Sequence, residues 1–152
     1  MPAGSTVIRA ALPDQAASLV ATYEWLFAPP GSRPAGWDPG RAASTLSEVI
    51  AAEYAEVLVA EADGQVVGLC TVYLDIRSVR FGSRAWVEDL SVDPGHRSRG
   101  VGKALLDAAK DWARARGATH LALNSGVART DAHRFYEREQ PTTRSLNFGW
   151  DL

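Results

Sequence analysis

The sequence has few of the features that would set it apart from ordinary globular proteins. Its 152 residues contain one cysteine, Cys70, which excludes an internal disulfide and favours a reducing compartment. No apolar run approaches the ~20 residues of a membrane-spanning helix, and the first residues lack the long apolar core of a signal peptide. A formal net charge of −2 argues against general nucleic-acid binding. We therefore expect a cytoplasmic protein with no nucleic-acid or membrane partner.

Several familiar binding patterns are missing as well. Neither the Gly-x-x-x-x-Gly-Lys-Ser/Thr phosphate loop nor the Gly-x-Gly-x-x-Gly dinucleotide fingerprint occurs. His96, His120 and His133 lack the spacing of metal ligands, so we expect no metal. Cys70 lies inside a predicted strand with no histidine and carboxylate pattern around it, which favours a buried, unreactive thiol over a nucleophile.

The pattern of apolar residues predicts a mixed α/β fold, with a single domain spanning residues 1–152. Strands are predicted at Thr6–Leu12, Ala55–Glu61, Val66–Ile76, Trp86–Val92, Thr119–Asn124 and Thr143–Asp151, with a two-residue hairpin at Asp63-Gly64. Helices are predicted at Asp14–Phe27, Gly40–Ala52 and Asp131–Glu139, with a longer one from Val101 that stops at Gly117. The loop Ala28–Gly40 holds four prolines and three glycines, and its Trp37 either packs on the domain or forms a wall of the acceptor pocket.

The stretch from residue 86 to residue 117 carries the clearest chemistry. Alternation along its strand predicts one face with Trp86, Glu88, Leu90 and Val92 and another with Val87, Asp89 and Ser91. In the turn that follows, Gly100 and Gly102 let the backbone at the start of a helix come close to a ligand. The helix dipole and the charges of Arg97, Arg99 and Lys103 favour a phosphate there. Taken alone, the pattern is equally typical of surface arginines beside an ordinary helix cap.

Residues 86–117 resemble the acetyl-CoA motif of the GNAT superfamily of N-acetyltransferases. The family pattern Arg/Gln-x-x-Gly-x-Gly/Ala falls on Arg97, Gly100 and Gly102. A second family segment, Ala-x-x-Phe-Tyr-Glu, matches residues 132–137 at the expected distance downstream. Two motifs in this order and spacing are much more specific than either one. The sequence departs from the family at Gln140-Pro141, where Gly-Phe is usual.

The resemblance implies a mostly antiparallel sheet of about six to seven strands with flanking helices. The strand ending at Val92 and the strand starting at Thr119 would form a splayed parallel pair at the acetyl-CoA site. The phosphates would bind the amides of the basic turn, and the pantetheine arm would lie along Leu90 and Val92, with the Val92 amide near the thioester oxygen. The implied coenzyme contacts are Leu90, Val92, Arg97, Ser98, Arg99, Gly100, Val101, Gly102, Lys103 and Asn124, although Asn124 is equally consistent with a plain amide at a strand end.

Transfer of an acetyl group from a thioester to an amine needs a neutral amine, an N–H donor for the oxyanion and a proton for the departing thiolate. Glu88 is the first candidate for the base, directly or through a water, because burial near the splay would raise its pKa. Asp89 is the second candidate, and an ion pair with an arginine such as Arg84 is the structural alternative for either carboxylate. The resemblance places Tyr136 near the coenzyme sulfur as the general acid, and core packing beside Phe135 is the alternative.

These features predict an acetyl-CoA-dependent N-acetyltransferase that acts on a primary amine of a small molecule by direct transfer in a ternary complex. The segment from residue 127 to residue 139 is similar to that of family members acting on small amines, and Glu88, Asp89 and Asp75 suit a cationic acceptor. The alternatives are a protein or peptide amine acetyltransferase with an open groove and a non-catalytic acyl-CoA-binding regulatory domain. A homodimer with Trp150 in its interface is a further hypothesis.

Overall fold

The computed structural model describes residues 5–152 and contains a five-stranded sheet in the order β1-β2-β3-β4-β5. The strands are β1 Val7–Ala10, β2 Ala55–Ala62, β3 Gln65–Leu74, β4 Arg84–Val92 and β5 His120–Leu123. Neighbouring strands from β1 to β4 are antiparallel, whereas β4 and β5 are parallel. The prediction of a mixed, mostly antiparallel sheet is therefore confirmed, with five strands in the described chain instead of six to seven.

The parallel strands β4 and β5 lie side by side over only part of their length. Residues 84–87 pair with residues 120–123, whereas β4 continues to Val92 without a partner in β5. On its other edge, β4 remains paired with β3 as far as Val92. The two strands therefore diverge as predicted, and one edge of residues 88–92 is left open.

Five α-helices flank the sheet in the described residues: α1 Ala16–Leu19, α2 Glu24–Phe27, α3 Pro39–Ala51, α4 Val101–Ala115 and α5 Thr130–Arg138. The single helix predicted at 14–27 is instead interrupted by 3-10 turns at Pro13–Gln15 and Val20–Tyr23. The Thr22 hydroxyl donates to the Leu19 carbonyl at 2.7 Å, a side-chain bond that competes with regular helix geometry. Within residues 5–152, no helix is long and apolar enough to cross a membrane.

Each face of the sheet is covered by an apolar cluster. On one face, α4 packs through buried residues that include Val101 and Leu105. On the other face, Leu19 of α1 and Leu46 of α3 pack on β2 and β3. Gly68 of β3 allows α4 to approach, because a Cβ there would lie 2.9 Å from side-chain atoms of both α4 residues. The sheet is thereby held with its open β4 edge beside the start of α4.

A β-bulge in β4 changes the predicted faces of this strand. Thr71 pairs with Asp89, and the next residue of β3 pairs with Val87, so that Glu88 is the extra residue. Leu90 consequently packs in the same cluster as Val87. The prediction that Leu90 shares a face with Trp86 was therefore wrong, because an inserted residue shifts the alternation by one position.

The strand predicted at Thr143–Asp151 is not formed. The chain leaves α5 through Gln140, which has a φ of 57°, and Pro141, which has no N–H to donate to a ladder. Residues 141–152 are all exposed and form neither helix nor strand. Arg144 instead makes a bidentate ion pair with Glu137 of α5. The alternation in this segment is that of a strand, but the described chain provides no neighbouring strand for it.

Candidate functional site

A cavity of about 980 Å³ lies beside the open end of β4. Its walls come from residues 90–92, from the turn and first residues of α4, from α5, and from the end of α2 with residues 28–30. The predicted site residues that line it are Leu90, Val92, Arg97, Ser98, Gly100, Val101, Gly102, Lys103 and Tyr136. The residues of the two sequence motifs therefore surround the same space.

Four of the predicted site residues lie outside this wall. Arg99 belongs to the basic turn, and its side chain is exposed to solvent. Asn124 is exposed after the end of β5. Glu88 is exposed at the bulge, and Asp89 lies with Thr71 and Tyr23 away from the cavity. The cavity thus collects most of the predicted coenzyme contacts and separates them from both candidate bases.

The turn before α4 is shaped for the close approach of a ligand. Ser98 and Gly100 have φ values of 62° and 82°, a left-handed conformation that glycine adopts without strain. No side chain caps α4, and the first backbone bond at its start runs from the Ala104 N–H to the Gly100 carbonyl at 3.0 Å. The N–H groups that precede Ala104 therefore have no acceptor within the helix. Together with the positive end of the helix dipole, they offer a site for an anion.

The side chains around the cavity are predominantly cationic. The charged lining residues are Arg97, Lys103, Arg129, Arg134 and Arg138, with Asp131 and Glu139. Arg134 is paired with Asp131, and Lys103 lies 3.6 Å from Glu139 and 2.9 Å from Asp107. The hydrogen bond and charge of Asp107, with a further contribution from Glu139, raise the pKa of Lys103, which therefore keeps its charge. The remaining positive charge suits a ligand that carries phosphates.

Tyr136 enters the cavity from α5, and its position depends on contact between the two motifs. A Cβ at Gly102 would lie 3.5 Å from the Phe135 ring, so the glycine allows the start of α4 to lie against α5. The Phe135 and Tyr136 ring centroids are 5.1 Å apart. Tyr136 therefore both packs beside Phe135 and lines the cavity.

Burial raises the pKa of Tyr136 to about 12, with a further increase from nearby Cys70 and an opposing effect of Arg129. The phenol is therefore protonated at neutral pH and able to donate its proton. Cys70 is fully buried, and burial followed by the charge of Asp89 raises the pKa of its thiol to about 12. A thiol with this pKa has almost no thiolate at neutral pH and is a poor nucleophile.

Asp89 is engaged in hydrogen bonds with the rest of the fold. Its Oδ2 accepts from the Tyr23 hydroxyl at 2.8 Å and from the Thr71 hydroxyl at 2.9 Å, and its N–H donates to Thr71 Oγ1 at 3.0 Å. Burial, and then the charge and hydrogen bond of Asp89, raise the pKa of Tyr23. These bonds fasten the turn before α2 to β3 and β4 at the bulge. The partners of Asp89 are thus a tyrosine and a threonine, where the sequence suggested Arg84.

Glu88 has a different environment from its neighbour. Burial and the charge of Asp89 raise the pKa of Glu88, and a hydrogen bond with the Trp86 side chain opposes the increase. The pKa of Tyr73 is raised by burial and then by the charges of Glu88 and Asp75. These two carboxylates and Tyr73 are therefore close enough to interact electrostatically, and Glu88 stands two residues before the cavity wall begins at Leu90.

Sequence reasoning missed the contribution of Arg129 and of the residues after α2. The Arg129 guanidinium donates to the Leu26 carbonyl at 3.0 Å and joins the start of α5 to the end of α2. Residues 28–30, at the start of the predicted loop, form part of the cavity wall. Trp37 instead packs edge-on against Phe27, with ring centroids 4.8 Å apart, outside that wall. No local pattern predicts the Arg129 contact, because 103 residues separate its partners.

Comparisons with known proteins identify the family. Residues 19–140 match the model of the acetyltransferase (GNAT) family. The chain is 33% identical over 137 residues to an aminoglycoside N(6')-acetyltransferase of Stenotrophomonas maltophilia, which covers 88% of this chain and 84% of the relative. It is 49% identical over 59 residues to an uncharacterised N-acetyltransferase of Bacillus subtilis, which covers 39% of this chain and 42% of the relative.

The solved structure of an aminoglycoside N-acetyltransferase in complex with CoA has the same fold. Its TM-score is 0.84 at 19% identity, over 99% of this chain and 98% of that one. The chain spans less than half the length of some curated relatives that it matches, such as 42% of the Bacillus subtilis protein and 39% of a streptothricin acetyltransferase from Streptomyces lavendulae. The family model nevertheless covers most of the sequence. The chain therefore belongs to the acetyltransferase (GNAT) family.

Proposed function

We propose that the protein is an acetyl-CoA-dependent N-acetyltransferase that moves an acetyl group to the primary amine of a small molecule by direct transfer. The observation that carries this proposal is the single cavity lined by the basic turn before α4, by Leu90 and Val92 of β4, and by Tyr136 of α5. Membership of the family supports acetyl-CoA as the donor. Similarity to an aminoglycoside acetyltransferase over most of both chains supports a small amine as the acceptor.

The residues around the cavity fit a coenzyme that carries phosphates. The free N–H groups at the start of α4, the absence of a side chain at Gly100 and the charge of Arg97 suit the phosphate groups. Leu90 and Val92 lie where β4 no longer pairs with β5, so their backbone groups on that edge are available to an extended arm. When bound, acetyl-CoA supplies the activated acetyl group and a thiolate leaving group.

Three groups of the chain are assigned roles in the transfer. Tyr136 donates a proton to the leaving group, since its pKa of about 12 keeps the phenol protonated at neutral pH. The Val92 amide donates a hydrogen bond to the acyl oxygen. Glu88 removes the proton of the amine through a water, because its side chain does not line the cavity and its pKa is raised toward neutral pH. Asp89 is less suited to be the base, because Tyr23 and Thr71 already bond its carboxylate.

The charge outside the cavity favours a cationic acceptor. Glu88 and Asp75 lie near Tyr73 at the ends of β4 and β3, and the described chain gives neither carboxylate an ion pair with a basic residue. An amine held by these carboxylates would stand next to the base that has to deprotonate it. Proximity of this kind accounts for much of the rate that a ternary complex provides.

A thermal-shift experiment with acetyl-CoA, free CoA and ATP tests the donor. At a hundredfold excess over its Kd, a ligand adds ~2.7 kcal/mol of stability, which corresponds to roughly 5–10 °C for a chain of this size. We expect this shift with acetyl-CoA and CoA and a much smaller one with ATP. No shift with either coenzyme would contradict the proposal.

Thiol release from acetyl-CoA then tests the acceptor. The panel contains aminoglycosides, aminoalkylphosphonates, simple diamines and short peptides with a free N-terminus. We expect release with at least one cationic small amine and little with the peptides. Release with peptides alone would favour the protein-acetylating alternative, and coenzyme binding without release from any amine would favour a non-catalytic acyl-CoA-binding domain.

A further inference from the structure

The segment from residue 141 to residue 152, here named the C-terminal arm, exposes a row of large apolar side chains. Leu146, Phe148, Trp150 and Leu152 alternate with Asn147, Gly149 and Asp151. Their exposed fractions are 78%, 72%, 80% and 120%. Alternation of this kind is typical of a strand with one buried face. Four exposed apolar side chains in one short segment indicate a surface that another element covers.

The outer edge of β5 is the matching unpaired feature. Within residues 5–152, β5 pairs only with β4, so the backbone groups on its other edge have no strand partner. Leu121 and Leu123 of β5 pack against the α4 cluster but remain partly exposed. An open strand edge of this kind is a template on which a further strand can add.

The arm does not reach this edge within its own chain. Its first residues are fixed to α5 by the bidentate pair of Arg144 with Glu137, and every residue from 141 to 152 is exposed. A second copy of the chain presents the same open β5 edge. Reciprocal exchange of arms between two copies forms a closed assembly with twofold symmetry, and it pairs both open edges at once.

We propose that the protein is a homodimer in which the C-terminal arm of each copy adds as a strand to the outer edge of β5 in the other. The apolar side chains of the arm cover Leu121 and Leu123, and the residues between them face solvent. The exchange also affects the candidate site, because β5 is the strand that diverges from β4 beside the cavity. The arm of one copy thus supports the strand next to the other copy's site.

Light scattering coupled to size-exclusion chromatography tests the dimer directly. We expect the full chain at micromolar concentration to have about twice the mass of one chain. The double variant F148E/W150E places two charges in the covered face and is expected to be monomeric. The matched control S145E/N147E adds the same charges at alternate positions of the arm and is expected to remain dimeric. A monomeric wild type, or a dimer that F148E/W150E leaves intact, would overturn the proposal.

Amide hydrogen exchange of residues 120–123 tests the place where the arm binds. We expect slow exchange in the wild type and in S145E/N147E, and exchange at least tenfold faster in F148E/W150E. Equal rates in the dimer and in the monomeric variant would put the contact elsewhere, and slow exchange in a monomer would show that the arm folds onto its own β5. Either result would overturn the arm exchange. Trp150→Ser, which adds no charge, is expected to raise the dimer Kd at least tenfold and gives the same test if the double variant is unstable.

Discussion

The two sides of the β4 bulge use their polar groups in different ways. Toward the cavity, the first N–H groups of α4 have no acceptor within the helix, and Arg97 adds an unpaired positive charge. On the other side, Asp89 accepts hydrogen bonds from Tyr23 and Thr71. Buried polar groups that bond to one another stabilise a fold, whereas preorganised free donors are available to a ligand. The difference separates the groups that build the site from the groups that bind in it.

Glu88 and Asp89 show this difference between adjacent residues. Both are carboxylates in the same strand, and the sequence makes each of them a candidate base. The bulge at Glu88 separates their environments, so that Asp89 is bonded within the fold while Glu88 stays exposed with a raised pKa. The four substitutions below test the two sides of the bulge, beginning with the largest expected effect.

Gly100→Asp is expected to have the largest effect on the cavity side. The substitution puts a side chain and a negative charge at the start of α4, at a φ of 82° that favours glycine. We expect the Kd for acetyl-CoA to rise about 100-fold or more, equivalent to about 3 kcal/mol. Gly64→Asp is the matched control, since Gly64 has a φ of 75° in the hairpin between β2 and β3. It carries the same backbone strain and should leave coenzyme affinity unchanged. Equal affinities in Gly100→Asp and the wild type would show that the phosphates bind elsewhere.

Tyr136→Phe tests the proton donor on the same side. The change keeps the ring that packs beside Phe135 and removes only the hydroxyl. We expect kcat to fall about 100-fold, within the usual contribution of a general acid, while the Kd for acetyl-CoA stays nearly the same. Steady-state kinetics and calorimetry separate the two effects. Tyr54→Phe, at an exposed position, is the control and should change neither. An unchanged kcat in Tyr136→Phe would remove the general-acid role.

The parts of this site that the sequence predicted are those set by local pattern. The spacing of Arg97, Gly100 and Gly102 and the periodicity of α4 depend on neighbouring residues, and the structure brings them together as expected. The bulge at Glu88 and the bond between Tyr23 and Asp89 depend on strands and turns that meet only in the folded chain. A period of two residues cannot reveal an inserted residue, and 66 positions separate that hydrogen-bonded pair.

The C-terminal arm shows the opposite limit of sequence reasoning. Its alternation correctly identifies apolar residues that suit a strand, but a strand exists only when another strand is available beside it. Within one described chain, residues 141–152 have no such neighbour, so the predicted strand is absent. Local pattern thus indicates what a segment is suited to form, and the tertiary or quaternary partner decides whether it forms.

Glu88→Gln tests the exposed carboxylate at the bulge. If Glu88 is the base, its ionised form is the active one, so the wild-type kcat/KM falls as the pH drops through its raised pKa. Glutamine cannot take up that proton, so this decline should be absent in the variant. We expect kcat/KM near neutral pH to be about tenfold lower, a modest effect for a base that acts through a water.

Asp75→Asn is the control for Glu88→Gln. Asp75 shares the acidic region near Tyr73, so its loss should raise KM for a cationic acceptor and leave the shape of the pH profile unchanged. A pH profile of Glu88→Gln that follows the wild type would assign the base to another group.

Tyr23→Phe is expected to have the smallest effect on catalysis, and it contrasts directly with Tyr136→Phe. The change removes the 2.8 Å hydrogen bond to Asp89 but keeps the ring that packs on Phe27 and Trp37. A hydrogen bond to a charged group contributes about 1.5–3 kcal/mol, so denaturant unfolding should show a loss of this size, with kcat nearly unchanged. The same hydroxyl deletion would then cost stability on one side of the bulge and rate on the other. A large fall in kcat with no loss of stability in Tyr23→Phe would mean that Asp89 and Tyr23 belong to the catalytic machinery, and that the separation between the two sides is wrong.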